Sequence, residues 1–229
     1  MRCVNESRPL LVDLCCGAGG AAIGYYRAGF DVIGVDINPQ PRYPFRFVQA
    51  DVMSLDLEKE FPSAACFHAS PPCQPFSVST KRYRNAGKVY PDILAALREK
   101  LHRMGKPFVL ENVPGAPMKN RFMLCGEMFG LRVIRHRWFE VIGNVVVFAP
   151  PHVKHKGHAT GICDDREYIM NGNFYYYTVC GNGKRAVDTH NAWASAMGGL
   201  EHMTKYEMAQ AIPPAYTEYI GRQLIGQLL

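Results

Sequence analysis

The chain has 229 residues, 48% of them hydrophobic, enough for one sizeable core with a small appended lobe. No stretch reaches the roughly 18 unbroken apolar residues of a membrane span, and the polar start, with Arg2, Glu6 and Arg8, lacks the apolar core of a secretion signal, so a soluble, cytoplasmic protein is expected. A net charge of +6 suits a polyanionic partner without demanding one, and eight cysteines with no Cys-x2-Cys pair fit reduced thiols better than a disulfide scaffold.

The first 140 or so residues alternate short apolar strands with helices. Strands are expected at residues 10–14, 32–35, 45–48, 65–68 and 108–110. A helix is expected at 21–28, and the clearest one at 92–104, where Ile93, Leu94, Leu97, Leu101 and Met104 share a face and Asp92 can cap the start. This alternation predicts an α/β fold with a mostly parallel, doubly wound sheet, whose ligands bind beyond the carboxyl ends of the strands. Residues 143–197 are rich in Gly, Asn, His and Tyr and read as a small, irregular, β-rich insertion, with β-like runs at 145–148 and 174–179. Helices resume at Met203, where Thr204 and Glu207 form a capping box and Met203 can staple onto Met208. Pro213-Pro214 ends that helix, and a last one is expected at 216–228. The chain thus divides into 1–142, 143–197 and 198–229, the last returning to the first.

Polar and glycine-rich residues follow each strand. Asp13-Leu14-Cys15-Cys16-Gly17-Ala18-Gly19-Gly20 joins the first strand to the first helix, where glycines let the backbone approach a ligand. The pattern is not G-x-G-x-x-G, which disfavours a nicotinamide enzyme. Asp36 ends the second strand 19 residues after Gly17, about where an acid reaches ribose hydroxyls. Asp51 ends the third, placed to accept from an adenine amino group. A tight turn with two surface carboxylates explains the loop alone, but less well the two acids at successive strand ends.

Pro71-Pro72-Cys73-Gln74-Pro75-Phe76-Ser77 follows the fourth strand. The prolines stiffen the turn and present the thiol at the sheet edge, as a nucleophile requires. A lone loop cysteine is more often inert. Glu111-Asn112-Val113-Pro114-Gly115 ends the fifth strand, where a buried carboxyl can hold or donate a proton. Arg135 and Arg137, one residue apart on a strand, would share a face and suit anionic or carbonyl partners; a surface basic pair is the plainer reading.

In order and content these segments resemble the cytosine-C5 DNA methyltransferase family, in compact, bacteriophage-type form. The resemblance spans nearly the whole chain, and Pro-Cys-Gln after a fourth strand with Glu-Asn-Val after a fifth is a specific pair. It implies a Rossmann-like S-adenosylmethionine fold with residues 143–197 as target-recognition lobe. It also implies transfer of a methyl group to carbon 5 of a flipped cytosine in double-stranded DNA, by a monomer, within restriction-modification. Cys73 would attack carbon 6, Glu111 would hold N3 and the amino group, and Arg137, with Arg135 nearby, would bond the carbonyl and steady Glu111. The cofactor would lie against Asp13, Cys15, Gly17, Ala18, Gly19, Gly20, Asp36, Ile37, Asp51, Val52 and Pro71. DNA would meet Gln74, Ser77, Asn112 and a mobile basic loop with Lys81, Arg82, Arg84 and Lys88.

Three positions depart from the family pattern. Cys15 stands where Phe is usual, Val133 replaces Gln ahead of the arginines, and Arg222 replaces Asn in the closing motif. A cation at Arg222 suggests a carboxylated donor, carboxy-S-adenosylmethionine, and carboxymethyl transfer. RNA or nucleotide substrates, and a non-catalytic S-adenosylmethionine- or DNA-binding regulator, are the other readings. In the lobe, Lys154, Lys156, Lys184 and Arg185 can meet phosphates and Asn171, Asn173 and Asn182 base edges. His152, His155, His158, Cys163 and Cys180 have no standard zinc spacing, so no metal is expected.

Overall fold

In the computed structural model, residues 8–152, 155, 158–160, 175–177, 179 and 189–228 are described. Seven strands form one sheet: β1 (Leu10–Leu14), β2 (Asp31–Asp36), β3 (Arg46–Gln49), β4 (Ala64–Ala69), β5 (Phe108–Asn112), β6 (Phe122–Leu124) and β7 (Arg137–Ile142). Their spatial order is β3-β2-β1-β4-β5-β7-β6. The first five strands are parallel, β7 is antiparallel to β5, and β6 is antiparallel to β7. The order reverses between β1 and β4, so the crevice beyond their carboxyl ends is where such a sheet takes a ligand. The five expected parallel strands are all present, each within one or two residues of its expected start and end. β6, only three residues long, was not foreseen.

Alternation along the strands builds two cores. Leu11, Val32, Cys66, Val109 and Phe139 turn to one face, and Val12, Ile33, Phe67, Phe108 and Leu110 to the other. α1 (Gly20–Ala28) and α7 (Pro214–Leu228) cover the first face. They approach so closely that a Cβ on Gly24 would lie 2.1 Å from the Pro214 carbonyl oxygen, and Thr217 Oγ1 donates to the Ala21 carbonyl at 2.8 Å. The second face is covered by α2 (Leu57–Glu60) and α4 (Leu94–Arg103), through Leu57, Leu94, Leu97 and Leu101. Asp92 accepts from the Leu94 N–H at 3.1 Å, as expected of a start signal.

A third cluster joins α5 (His190–Ala196) to α6 (Lys205–Gln210), with Trp193, Met197, Leu200, Met203 and Met208 buried together. The Thr204–Glu207 capping box is formed. α5 begins inside the span read as the lobe yet packs with the C-terminal helices. Within the lobe a parallel pair, β8 (His158–Thr160) and β9 (Tyr175–Tyr177), is joined to the main body by a Val133–Tyr177 bridge. The run 145–148 is not a strand; Val146 and Phe148 instead donate backbone N–H groups to Gln227 and Gln223 of α7. No helix among the described residues is long and apolar enough to cross a membrane.

Candidate active site

The loop after β1 turns through left-handed backbone at Cys15 (φ 54°) and Gly17 (φ 51°). The Gly17 N–H donates to Asp36 Oδ2 at 3.0 Å and the Asn38 N–H to Oδ1 at 2.9 Å, so Asp36 draws the ends of β1 and β2 together. A Cβ added to Gly17 would meet nothing within 4 Å, which leaves an open cradle in front of the loop. Ala18, Gly19 and Gly20 are buried beneath it. Ile37, beside Asp36, is 61% exposed. Val52 is buried, and Asp51 is exposed, with Oδ1 accepting from the Met53 N–H at 2.9 Å. Asp13 is fully buried and neither of its carboxylate oxygens has a partner at hydrogen-bond geometry, although the Tyr43 hydroxyl is close enough to pull against its raised pKa. Burial, with Asp36 and Glu111 adding to it, pushes its pKa well up. An orphaned buried acid next to an open cradle suits a cationic ligand. The Cys15 thiol, pushed up to about 12 chiefly by burial, is no nucleophile.

At the next crevice wall Cys73 opens a turn, its carbonyl accepting from the Phe76 and Ser77 N–H groups at 3.0 and 2.9 Å. Pro71 is buried, and its carbonyl accepts from Asn112 Nδ2 at 3.1 Å, which ties the cysteine loop to β5. Asn112 is therefore spent on the scaffold. Glu111 is buried and ion-paired with Arg137, Nε to Oε1 at 3.1 Å. Burial raises the Glu111 pKa, while Arg137, the Ser70 hydroxyl and Arg135 pull it down. Burial also raises the Cys73 thiol, as does Glu111, against Arg137 and Arg135. The three side chains thus share one electrostatic neighbourhood.

Several expected residues serve other purposes. Arg135 and Arg137 are held by different partners. Arg135 lies ahead of β7, is buried, and donates to the carbonyls of Val179 and Ala209, both at 2.7 Å. Its own carbonyl accepts from the Tyr216 hydroxyl at 2.7 Å, so it fastens the lobe and α6 to the sheet. Burial lowers its pKa to about 9. The basic loop is a 3-10 turn followed by α3 (Lys81–Asn85). Lys81, Arg82 and Lys88 are exposed, but Arg84 turns inward to the Gln74 and Ser77 carbonyls at 2.8 and 2.7 Å. Ser77 Oγ pairs with Ser79 Oγ at 2.8 Å. Val133, in place of the usual Gln, is buried in the cluster under α5. Arg222 is not brought to the cradle. Its side chain is 66% exposed and bonds Glu218 one turn back at 2.7 Å, because neighbouring Gly221 is the residue of α7 that faces α1. The lobe residues Lys154, Lys156, Asn171, Asn173, Asn182, Lys184 and Arg185, with Cys163 and Cys180, lie outside the described residues.

Sequence reasoning missed a buried relay behind Glu111. His68 is fully buried, with Nδ1 3.0 Å from the Tyr25 hydroxyl and Nε2 2.9 Å from Ser70 Oγ. Burial lowers its pKa to about 3, so the ring is neutral. Tyr25 then donates to His68, His68 to Ser70 and Ser70 to the Glu111 carboxylate. A histidine inside an apolar strand, Ala64–Ala69, was the available signal. One cleft, by contrast, lies at the amino ends of the strands near Pro9, Asp31 and Ser63, the wrong edge for such a fold.

The C-5 cytosine-specific DNA methylase family matches residues 10–123. The Type II methyltransferase M.AplI of Arthrospira platensis is 26% identical over 162 residues, covering 66% of this chain and 45% of that protein. The Type II methylase M.HgiDII of Herpetosiphon aurantiacus is 31% identical over 133 residues, covering 52% of this chain and 36% of that protein. The chain thus spans less than half the length of these relatives. Among solved structures, a candidate DNA modification methyltransferase encoded within an E. coli prophage superposes with a TM-score of 0.62 at 17% identity. That match covers 96% of this chain and 99% of the other, and at such identity it speaks to the fold alone.

Proposed function

We propose that the chain is a member of the C-5 cytosine-specific DNA methylase family and transfers a methyl group from S-adenosylmethionine to carbon 5 of a flipped cytosine in double-stranded DNA. The observation that carries this reading is the meeting of Cys73, Glu111 and Arg137 beyond the carboxyl ends of β4 and β5, beside a cradle with an orphaned buried acid.

S-adenosylmethionine, when bound, supplies the electrophilic methyl group. The backbone of Gly17, Ala18, Gly19 and Gly20 would hold it, with Asp36 toward the ribose and Asp51 toward the adenine. Ile37, Val52 and Pro71 supply apolar cover, and Asp13 a buried carboxyl that a cationic cofactor would favour in its ionised form. The chain's own residues do the rest. The Cys73 thiolate adds to carbon 6 of the base, and the displaced electron pair moves into the ring. Glu111 holds the proton at N3 and accepts from the exocyclic amino group. Arg137 holds the Glu111 carboxylate at 3.1 Å and meets the base carbonyl. Addition makes carbon 5 enamine-like and nucleophilic. After alkylation, loss of the carbon-5 proton expels Cys73 and restores the aromatic ring. The relay from Tyr25 through Ser70 orients Glu111, and Arg135 positions the β7 backbone that carries Arg137.

The carboxymethyl alternative rested on Arg222, whose guanidinium is held by Glu218, so we infer the unmodified donor. Mass analysis of nucleosides from DNA of mixed sequence, tRNA and dCMP, each treated with protein and S-adenosylmethionine, tests the proposal. A methyl gain on deoxycytidine that Cys73→Ala abolishes is the expected result. A gain confined to RNA or free nucleotide, or none at all, overturns it.

A further inference from the structure

Away from Cys73, four side chains from three stretches of chain turn toward one point. They are Cys125 after β6, His136 between the two arginines, and His152 and His155 beyond β7, with all four candidate ligand atoms within 4.8 Å of one another. His136 Nε2 is 3.1 Å from His152 Nε2 and 2.9 Å from His155 Nε2, and Cys125 Sγ is 3.8 Å from His155 Nε2. A tetrahedral zinc ion would set its ligands about 3.4 Å apart between nitrogens and about 3.6 Å between nitrogen and sulfur. The two nitrogen–nitrogen spacings fall somewhat short of these values and the nitrogen–sulfur spacing slightly beyond, so small side-chain shifts would seat the ion.

Hydrogen bonding among the rings does not account for this arrangement. His155 Nδ1 lies on the Glu127 carboxylate, so it carries a proton and leaves Nε2 as an acceptor. His136 Nε2 can then donate one proton to His155, but it cannot also accept from His152 at 3.1 Å. A cation in their midst satisfies all three Nε2 lone pairs at once. The carboxylate behind His155 is the outer partner that a ligating imidazole takes, and Glu127 is itself bonded to Tyr176 of β9. Backbone N–H groups of Glu127, Arg135 and Gly126 approach the Cys125 sulfur. One thiolate with three imidazoles favours zinc over the oxygen-seeking magnesium and calcium, and four protein ligands close the site to substrate.

We propose that Cys125, His136, His152 and His155 bind one structural zinc ion that clamps the start of the target-recognition lobe to the edge of the catalytic sheet. The ligand spacing, Cys-x10-His-x15-His-x2-His, brings residues 152 and 155 to the corner between β6 and β7. His136 sits between Arg135, which holds the lobe at Val179, and Arg137, which holds Glu111. An ion on His136 therefore fixes the backbone from which both arginines extend. The binding itself does not depend on the proposed methyl transfer.

Untagged full-length protein, purified without added metal or chelator, should carry about one zinc per chain by elemental analysis. His152→Gln, at an exposed ligand, and Cys125→Ser should lower retained zinc at least tenfold after gel filtration. Cobalt exchanged into the wild-type protein gives a readout that needs no variant: an intense tetrahedral visible spectrum with a thiolate-to-metal charge-transfer band. Wild-type protein that neither carries zinc nor retains added zinc through gel filtration would overturn the proposal. So would a weak octahedral cobalt spectrum, or undiminished zinc in folded His152→Gln and Cys125→Ser proteins.

Discussion

At the carboxyl edge of β1, β2 and β4, functional side chains are set by neighbours only a few ladder positions away. Asp36 is bonded to the loop of the adjacent strand, and Cys73 sits in a proline-stiffened turn directly after β4. Beyond Ile142 the chain is held instead by ties that cross long stretches of sequence. Arg135 reaches Val179 and Ala209, 44 and 74 residues away, and His152 and His155 reach back to Cys125 and His136. The first region builds a site out of secondary structure, whereas the second is docked by a few polar anchors. Substitutions in the first should thus cost chemistry with little stability, and those in the second should cost stability and geometry together.

The sharpest separation is expected at Glu111→Gln. The amide keeps the shape and loses the acid, so the rate should fall by about 10²–10⁴, while the melting temperature drops only modestly because the amide oxygen still accepts from Arg137. A fall in stability as large as that at Arg135→Ala would dissolve the distinction. Next in size is Arg135→Ala, which strands two carbonyls bonded to a buried cation. A stability loss of about 3 kcal/mol in denaturant unfolding is expected. A stable variant with lost activity alone would return Arg135 to the chemistry.

A smaller effect concerns the resting thiol. Burial, then Glu111, raises Cys73 above the ordinary thiol value of 9.0, so less thiolate exists at pH 8 than on a free thiol. Iodoacetamide labelling of the Cys73 peptide should be several-fold slower than that of a free thiol at pH 8 and should still be climbing above pH 9. Labelling as fast as a free thiol would mean that the arginines outweigh burial. The smallest effect is expected at Arg222→Asn. An exposed ion pair one helical turn apart is worth about 0.5 kcal/mol or less, and donor preference should not change. A switch in the transferred group would place Arg222 at the cofactor after all.

The same contrast explains what the sequence makes legible. The five parallel strands, the glycine loop, the Pro-Cys turn and Glu111 can be read because period-two burial and turn chemistry are local signals. The inward turn of Arg84 and the outward pairing of Arg222 cannot, since each depends on which acceptor lies within reach in space. Arg135 looks like a partner of Arg137 along a strand, but β7 starts only at residue 137 and Arg135 spends its guanidinium on the distant Val179 and Ala209 carbonyls. His68 hides as an ordinary strand residue until its partners Tyr25 and Ser70 appear on either side. The histidines of the lobe suggest ligands in isolation, but half of their set lies at Cys125 and His136, on the other side of β7.

Covalent attack by Cys73 on the cytosine ring is the central claim. DNA of mixed sequence whose cytosines carry fluorine at carbon 5 tests it most directly, because the final elimination cannot release fluorine as it releases a proton. With S-adenosylmethionine present, a stable protein–DNA adduct should accumulate and map to the Cys73 peptide. Absence of any adduct under conditions in which the protein methylates unmodified DNA, or an adduct at another residue, would contradict the account.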